Sequence, residues 1–129
     1  MPKLDAYAPY IFAILRIITA LLFLEHGLMK LVGFPAALGH GHLPPLFLVA
    51  GVIETVGGAM IALGFFTRLA AFIAAGEMAV AYFKVHIWIS FWPALNHGEP
   101  AIFFCFFFLY LFFAGAGVWS LDAKRAKSA

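Results

Sequence analysis

Long apolar stretches broken by a few polar positions divide the chain into four segments. The third, residues 67–86, has the clearest pattern. Ala70, Ala74, Glu77, Ala81 and Lys84 recur at spacings of four and three, which puts them on one face of a helix. That face is small and polar, and the opposite faces are large and apolar. Small residues let a second helix approach closely, and an ionisable group inside a bilayer needs a partner. The first segment, roughly residues 9–31, carries a stripe of Arg16, Thr19, Phe23, His26 and Lys30. The second, roughly 46–64, places Gly51, Glu54, Gly58 and Ala62 together. The third helix extends to about residue 88, and the fourth runs from about 100 to 119. Between 101 and 118 the fourth has no charge and seven phenylalanines. Its packing seam reads as Glu99, Phe103, Phe106, Tyr110, Phe113 and Gly117.

The connections fit this division. Residues 32–45 hold Gly33, Pro35, Gly39, Gly41, Pro44 and Pro45, with His40 and His42 among them, so the stretch cannot be regular helix throughout. A tight turn joins segments two and three. Trp88 and Trp92 flank the third connection and Trp119 closes the fourth segment. All three read as interfacial anchors. The tail, residues 120–129, is short and basic and is expected to fray.

Composition turns the pattern into a class. Of 129 residues, 65% are hydrophobic and 11% charged, against about a quarter charged in soluble domains. So small a chain cannot hide that much apolar surface from water. The fold class is therefore all-α, a single transmembrane domain forming an integral membrane four-helix bundle with antiparallel neighbours. The N-terminus lacks a signal-peptide pattern, so the first segment is expected to persist as a helix. Lys3, Arg68, Lys124, Arg125 and Lys127 fall on one side, which places both termini in the cytoplasm by the positive-inside rule. The net charge of +2 gives no reason to invoke nucleic acid. The single cysteine, Cys105, allows no intrachain disulfide and no CxxC redox pair.

Three ionisable residues fall deep in the segments: Arg16, Glu54 and Glu77. Each charge at a helix centre costs about 2.5–3.5 kcal/mol, so an intramembrane network is expected. The simplest arrangement pairs Arg16 with Glu54 or Glu77. Such pairs either fix helix register or form a proton path or polar ligand site.

A second group falls on the outer half: Glu25, His26, Lys30, Lys84, His86, Asn96, His97 and Glu99. Histidine exchanges protons near neutral pH. A quinone headgroup needs hydrogen-bond donors between apolar or aromatic walls, and these residue types at this depth suit one. The competing reading is a solvated interface, with Glu99 meeting the positive end of helix four. No HxxxH or ExxH spacing of a bundle metal site occurs, and neither metal nor haem is expected.

Together these residues give a resemblance to the DoxX family of small four-helix bacterial membrane proteins. It is carried by Arg16, Gly27 and Lys30, and by GVIETVGGAMIALGFFTRLAA at 51–71. It continues through His86, Asn96, Gly98, Glu99, Gly115, Gly117 and WSLDA at 119–123. The resemblance implies a multi-pass protein of the bacterial cytoplasmic (inner) membrane. It implies kinship with the membrane subunit of thiosulfate:quinone oxidoreductases and with proteins that act beside soluble partners in oxidative and thiol stress. It marks Arg16, Glu54, Arg68, His86 and Glu99 as family positions. Glu77 and Lys84 rest on the residue pattern alone. The cysteine pairs of four-helix thiol:quinone enzymes are missing.

Three functions remain open on the sequence. One is a quinone-linked redox subunit with a polar site near the outer surface and an oxidoreductase subunit as partner. Another is a non-enzymatic anchor or assembly factor for a soluble oxidoreductase. The third is a small proton-coupled transporter. The bilayer is the expected surroundings, and homo-oligomerisation is left open.

Overall fold

A computed structural model describes residues 2–39 and 41–128. His40, named above in the Gly/Pro-rich connection, lies outside them. The described residues form helices and connections, with no strand among them. In chain order the helices are α1 (Pro2–Asp5), α2 (Ala8–Leu31), α3 (Pro45–Leu63), α4 (Thr67–Ala81), α5 (Pro93–Asn96), α6 (Glu99–Ala114) and α7 (Leu121–Ser128). A π-helical turn, Tyr82–His86, extends α4. Among the described residues three helices are long and apolar enough to cross a membrane: Ala8–Leu31, Pro45–Leu63 and Thr67–His86. α6 is equally apolar but has 16 residues. That is about 24 Å, less than the roughly 30 Å of a hydrocarbon core.

The fourth segment ends earlier than its apolar run suggests. Gly115 (φ 81°), Gly117 (φ 74°) and Trp119 (φ 55°) turn the chain out of the helix. The carbonyls freed there are taken by Arg16. The tail, expected to fray, continues as α7.

α2 packs most extensively on α3, α4 packs on α6, and α3 lies against α4. Small residues set the first contact. A Cβ on Gly58 would lie 2.8 Å from the Leu24 Cβ and 2.9 Å from the Ala20 carbonyl oxygen. Gly27 faces Thr55 and the Gly51 carbonyl in the same way. The helices therefore run antiparallel at backbone contact, as small interfaces allow. On the other side Ala70, Ala71, Ala74 and Ala75 of α4 are buried with Ala101, Phe108 and Leu111 of α6. The Phe23 ring of α2 closes the centre, 4.7 Å from Phe108 and 5.4 Å from Phe104.

The face of α6 differs from the predicted seam. Phe103, Phe106, Tyr110 and Phe113 point outward, 58–75% exposed. The inner row is Ala101, Phe104, Phe108 and Leu111. Every face of α6 is apolar, so periodicity carries no orientation, and the small Ala101 and the seat for Phe23 decide it. Ile11, Leu15, Ile18, Val52, Val56, Leu69 and Phe72 are also exposed. So apolar an outer surface suits lipid rather than water.

Candidate functional site

A cavity of about 420 Å³ lies between the first half of α3 and the second half of α4. That volume is in the range of small-ligand sites. Lys30 enters it from α2, Ala101 from α6, and Leu38 from the connection before α3. Most of its wall is apolar, including Phe47, Val49, Ile53, Ile73 and Val80. The polar groups on it are Lys30, Glu54, Glu77, Lys84 and His86.

Lys30 Nζ donates to Glu54 Oε2 at 2.7 Å, and little of either side chain is exposed. Glu77 shares the cavity wall with Glu54. Its Oε2 is buried and has no hydrogen-bond partner among the described residues. An unpaired buried oxygen is costly. Here it belongs to a residue on the cavity wall.

The π-helical turn sets the mouth. The Ile87 N–H donates to the Tyr82 carbonyl at 3.0 Å, spanning five residues rather than four. Such turns recur at functional positions. The inserted residue shifts the register of Lys84 and His86 relative to the helix before them. His86 Nδ1 lies 2.9 Å from the Asn96 carbonyl oxygen. That oxygen can only accept, so Nδ1 carries the hydrogen. In the neutral ring Nε2 is left as an acceptor. Lys84 is exposed and has no ion-pair partner among the described residues.

The outer-half group therefore divides. Lys30, Lys84 and His86 line one cavity together with the two carboxylates. Asn96 is fully buried and acts as a latch. Its Nδ2 donates to the Tyr82 hydroxyl (3.1 Å) and the Ser90 carbonyl (3.0 Å), while Oδ1 accepts the Gly98 N–H (2.7 Å). Glu25 and His26 are outside the cavity lining. His26 Nδ1 lies 2.8 Å from the Leu22 carbonyl oxygen, and its ring meets Phe104 edge-on. His97 is exposed in the left-handed conformation that ends α5. Glu99 is exposed in the first turn of α6 without a side-chain cap bond. Trp88 and Trp92 are largely exposed at this end, and at the other the Trp119 ring packs at a tilt against Tyr10, with centroids 5.4 Å apart. Among the described residues no three His, Cys, Asp or Glu side chains cluster as metal ligands.

The expected pairing of Arg16 with a carboxylate is not what forms. Arg16 is fully buried at the other end of α2. Its Nε donates to the Ile61 carbonyl (3.1 Å), and Nη1 to those of Ala116 and Val118 (3.0 Å for Val118). Nη2 donates to the Trp119 carbonyl at 2.7 Å. A planar guanidinium can satisfy several diverging carbonyls at once. Ile61 lies in the last turn of α3, where the helix dipole is negative. Backbone thus neutralises the arginine, and Lys30 takes the carboxylate instead.

Two further residues at that end escaped the reading by residue pattern. Asp122 accepts the N–H groups of Phe66 and Thr67, both at 2.9 Å, and so caps α4 from α7. Burial pushes the Asp122 carboxyl up, but the bonds from Thr67 and Phe66 and the nearby Arg125 outweigh it. The carboxyl ends below its usual range. Arg68 Nη1 donates to the carbonyls of Phe112 (2.9 Å) and Phe113 (2.5 Å) at the end of α6. The LG-x-x-TR and SLDA strings contain both residues, but nothing in their spacing shows which backbone they hold.

Comparison with known proteins supports the same class. An uncharacterized protein of Haemophilus influenzae is 46% identical over 133 residues, covering 98% of this chain and 99% of that one. An uncharacterized membrane protein of Mycobacterium tuberculosis is 26% identical over 144 residues, covering 98% and 88%. No solved structure matches significantly. The DoxX family model matches residues 11–87, which include most of α2, all of α3 and both carboxylates of the cavity. The chain is a membrane protein and belongs to the DoxX family.

Proposed function

We propose that the protein is a quinone-linked redox subunit of the bacterial cytoplasmic membrane, with its cavity as the headgroup site. In this reading α2, α3, α4 and α6 form a four-helix bundle with both termini cytoplasmic, and the cavity faces the outer half. The observation that carries the reading is the unpartnered Glu77 Oε2 beside the Lys30–Glu54 pair, on an otherwise apolar wall. A ligand that fits is flat and apolar with a few polar oxygens, which describes a quinone headgroup.

A bound quinone supplies a two-electron, two-proton acceptor. The chain's own residues then have distinct tasks. The apolar wall excludes water and holds the ring. Lys84 is a free cationic donor at the mouth. His86, oriented by the Asn96 carbonyl, exchanges a proton at Nε2. Glu77 exchanges a proton at Oε2, and Lys30 holds Glu54 as the neighbouring charge. Electrons come from a soluble oxidoreductase partner docked to the membrane subunit. The same cavity gives less support to a bare anchor, which needs no unpaired buried oxygen in an apolar pocket.

The test is binding of a short-chain quinone to purified protein in nanodiscs. Saturable binding is expected, weakened about tenfold or more by Glu77→Gln or by His86→Ala, with unchanged thermal stability. Absence of saturable binding in the wild-type protein overturns the reading.

A further inference from the structure

At the end opposite the cavity, α7 folds back beside the start of α4 and the break after α6. Between them lies an open groove of about 1040 Å³, far more than a single small ion occupies. Three cationic side chains line it: Arg68, Lys124 and Arg125. Among the described residues the one acid on its wall is Asp122, whose two oxygens are taken by the N–H groups of Phe66 and Thr67. The groove therefore carries a clear excess of positive charge.

Two of the cations are held in place. Arg68 spends Nη1 on the carbonyls of Phe112 and Phe113, while Nε and Nη2 make no hydrogen bond among the described residues. A Cβ on Gly115 would lie 3.1 Å from Nη2, so the glycine keeps room for that edge of the guanidinium. Arg125 lies over the Phe66 ring, 4.6 Å from its centroid, and 5.8 Å from that of Phe65. Such stacking orients a guanidinium without consuming its donors. Lys124 is exposed beside them.

The surroundings of the groove change sharply within one helical turn. Leu69, on its wall, is 58% exposed, and Phe72, one turn further along α4, is 56% exposed. Oriented hydrogen-bond donors thus stand directly above an apolar helix surface. Phosphate above acyl chain has the same sequence of chemistry. We infer that this groove binds the headgroup phosphate of an anionic glycerophospholipid, with acyl chain lying along Leu69 and Phe72. An acidic soluble protein would meet the same cations but would gain nothing from the exposed Leu69 and Phe72. The site is independent of the quinone reading, because its residues are at the other end of α4.

The experiment compares lipid retention by native mass spectrometry and by titration with nanodiscs of phosphatidylglycerol or phosphatidylcholine of the same acyl composition. The wild-type protein is expected to prefer phosphatidylglycerol. Lys124→Gln with Arg125→Gln should weaken that lipid by roughly twenty-five-fold, taking about fivefold for each basic side chain near the surface. Arg125→Lys, which keeps the charge, should lose less, and Lys3→Gln, outside the groove, should behave as wild type. Lys124 and Arg125 are exposed, so these variants keep the helical core, and Lys124→Gln alone provides a milder step. Equal affinity for the two lipids overturns the proposal. Equal retention of phosphatidylglycerol by the wild-type and double-variant proteins does so too. A stoichiometric acidic protein, bound through the same residues without any lipid preference, replaces it with protein docking.

Discussion

Lys30 and Glu54 form an ion pair of 2.7 Å between α2 and α3, on the wall of the cavity that also holds Glu77. The pair bridges two helices already in backbone contact at Gly27 and Gly58. Its energetic weight lies in what remains when one partner is removed. Lys30→Met leaves the Glu54 carboxylate buried beside Glu77 and should destabilise the protein by about 3–5 kcal/mol. The double variant Lys30→Met, Glu54→Leu removes both charges and should recover much of that loss. Thermal unfolding of all three proteins in one detergent measures the coupling. Additive losses in the double variant would show that the pair is not a unit.

Arg16 joins parts of the chain up to 103 residues apart through four carbonyls. Replacing it with leucine leaves those acceptors without a donor in a dry interior. The expected cost is on the order of 3–5 kcal/mol. Arg16→Lys should recover only part, because an ammonium has three donors and no planar fork. Amide exchange across residues 115–120 should rise in both variants, more in the leucine one. Unchanged exchange there would mean that the break after α6 holds without the guanidinium.

The segments themselves were legible because burial in this chain follows small residues rather than apolar ones. Gly51, Glu54, Gly58, Ala70 and Ala74 all lie on inward faces, as their spacing predicts. The same logic failed for α6, where phenylalanine occupies every face and only the small Ala101 marks the contact. Partner choice was less legible than position. A carboxylate and an arginine at similar depth look like a pair, but depth along a sequence does not reveal where carbonyls are left free. The glycines at 115 and 117 create those carbonyls, and they appear in the pattern only as turn signals. Spacing alone puts Glu77 and Lys84 on one face, but His86 falls off that face in a regular helix and joins the cavity at the π-helical turn, which side-chain periodicity does not encode.

Gly58 tests the helix contact by itself. A side chain there meets both the Leu24 Cβ and the backbone oxygen of Ala20 below 3.0 Å. Neither is the free end of a flexible group, so α2 and α3 must move apart. Gly58→Ala should cost about 1–3 kcal/mol, and Gly58→Leu more. Gly76 has nothing within 4 Å of its would-be Cβ, so Gly76→Ala should be neutral or slightly stabilising through helix propensity. Parallel thermal melts of the three variants separate packing from propensity. Equal effects at positions 58 and 76 would remove the packing argument.

Asp122 gives the protein an acid-sensitive cap. Its carboxyl lies below the usual range when folded, since two N–H groups at the start of α4 and the nearby Arg125 favour the charged form over the opposing effect of burial. A depressed folded value stabilises the protein above the unfolded value of about 3.9. That stabilisation fades as pH falls through the lower folded value. Acidification below about pH 4 should therefore loosen the turn between α3 and α4. Asp122→Asn keeps one acceptor oxygen but cannot titrate. It should cost about 1 kcal/mol at neutral pH, in the range of a weakened helix cap. Amide exchange at residues 66–70, followed from pH 7 to pH 3, should steepen in the wild-type protein and stay flatter in the variant. The same steepening in both would assign the acid response to another carboxylate and leave Asp122 as a pH-independent cap.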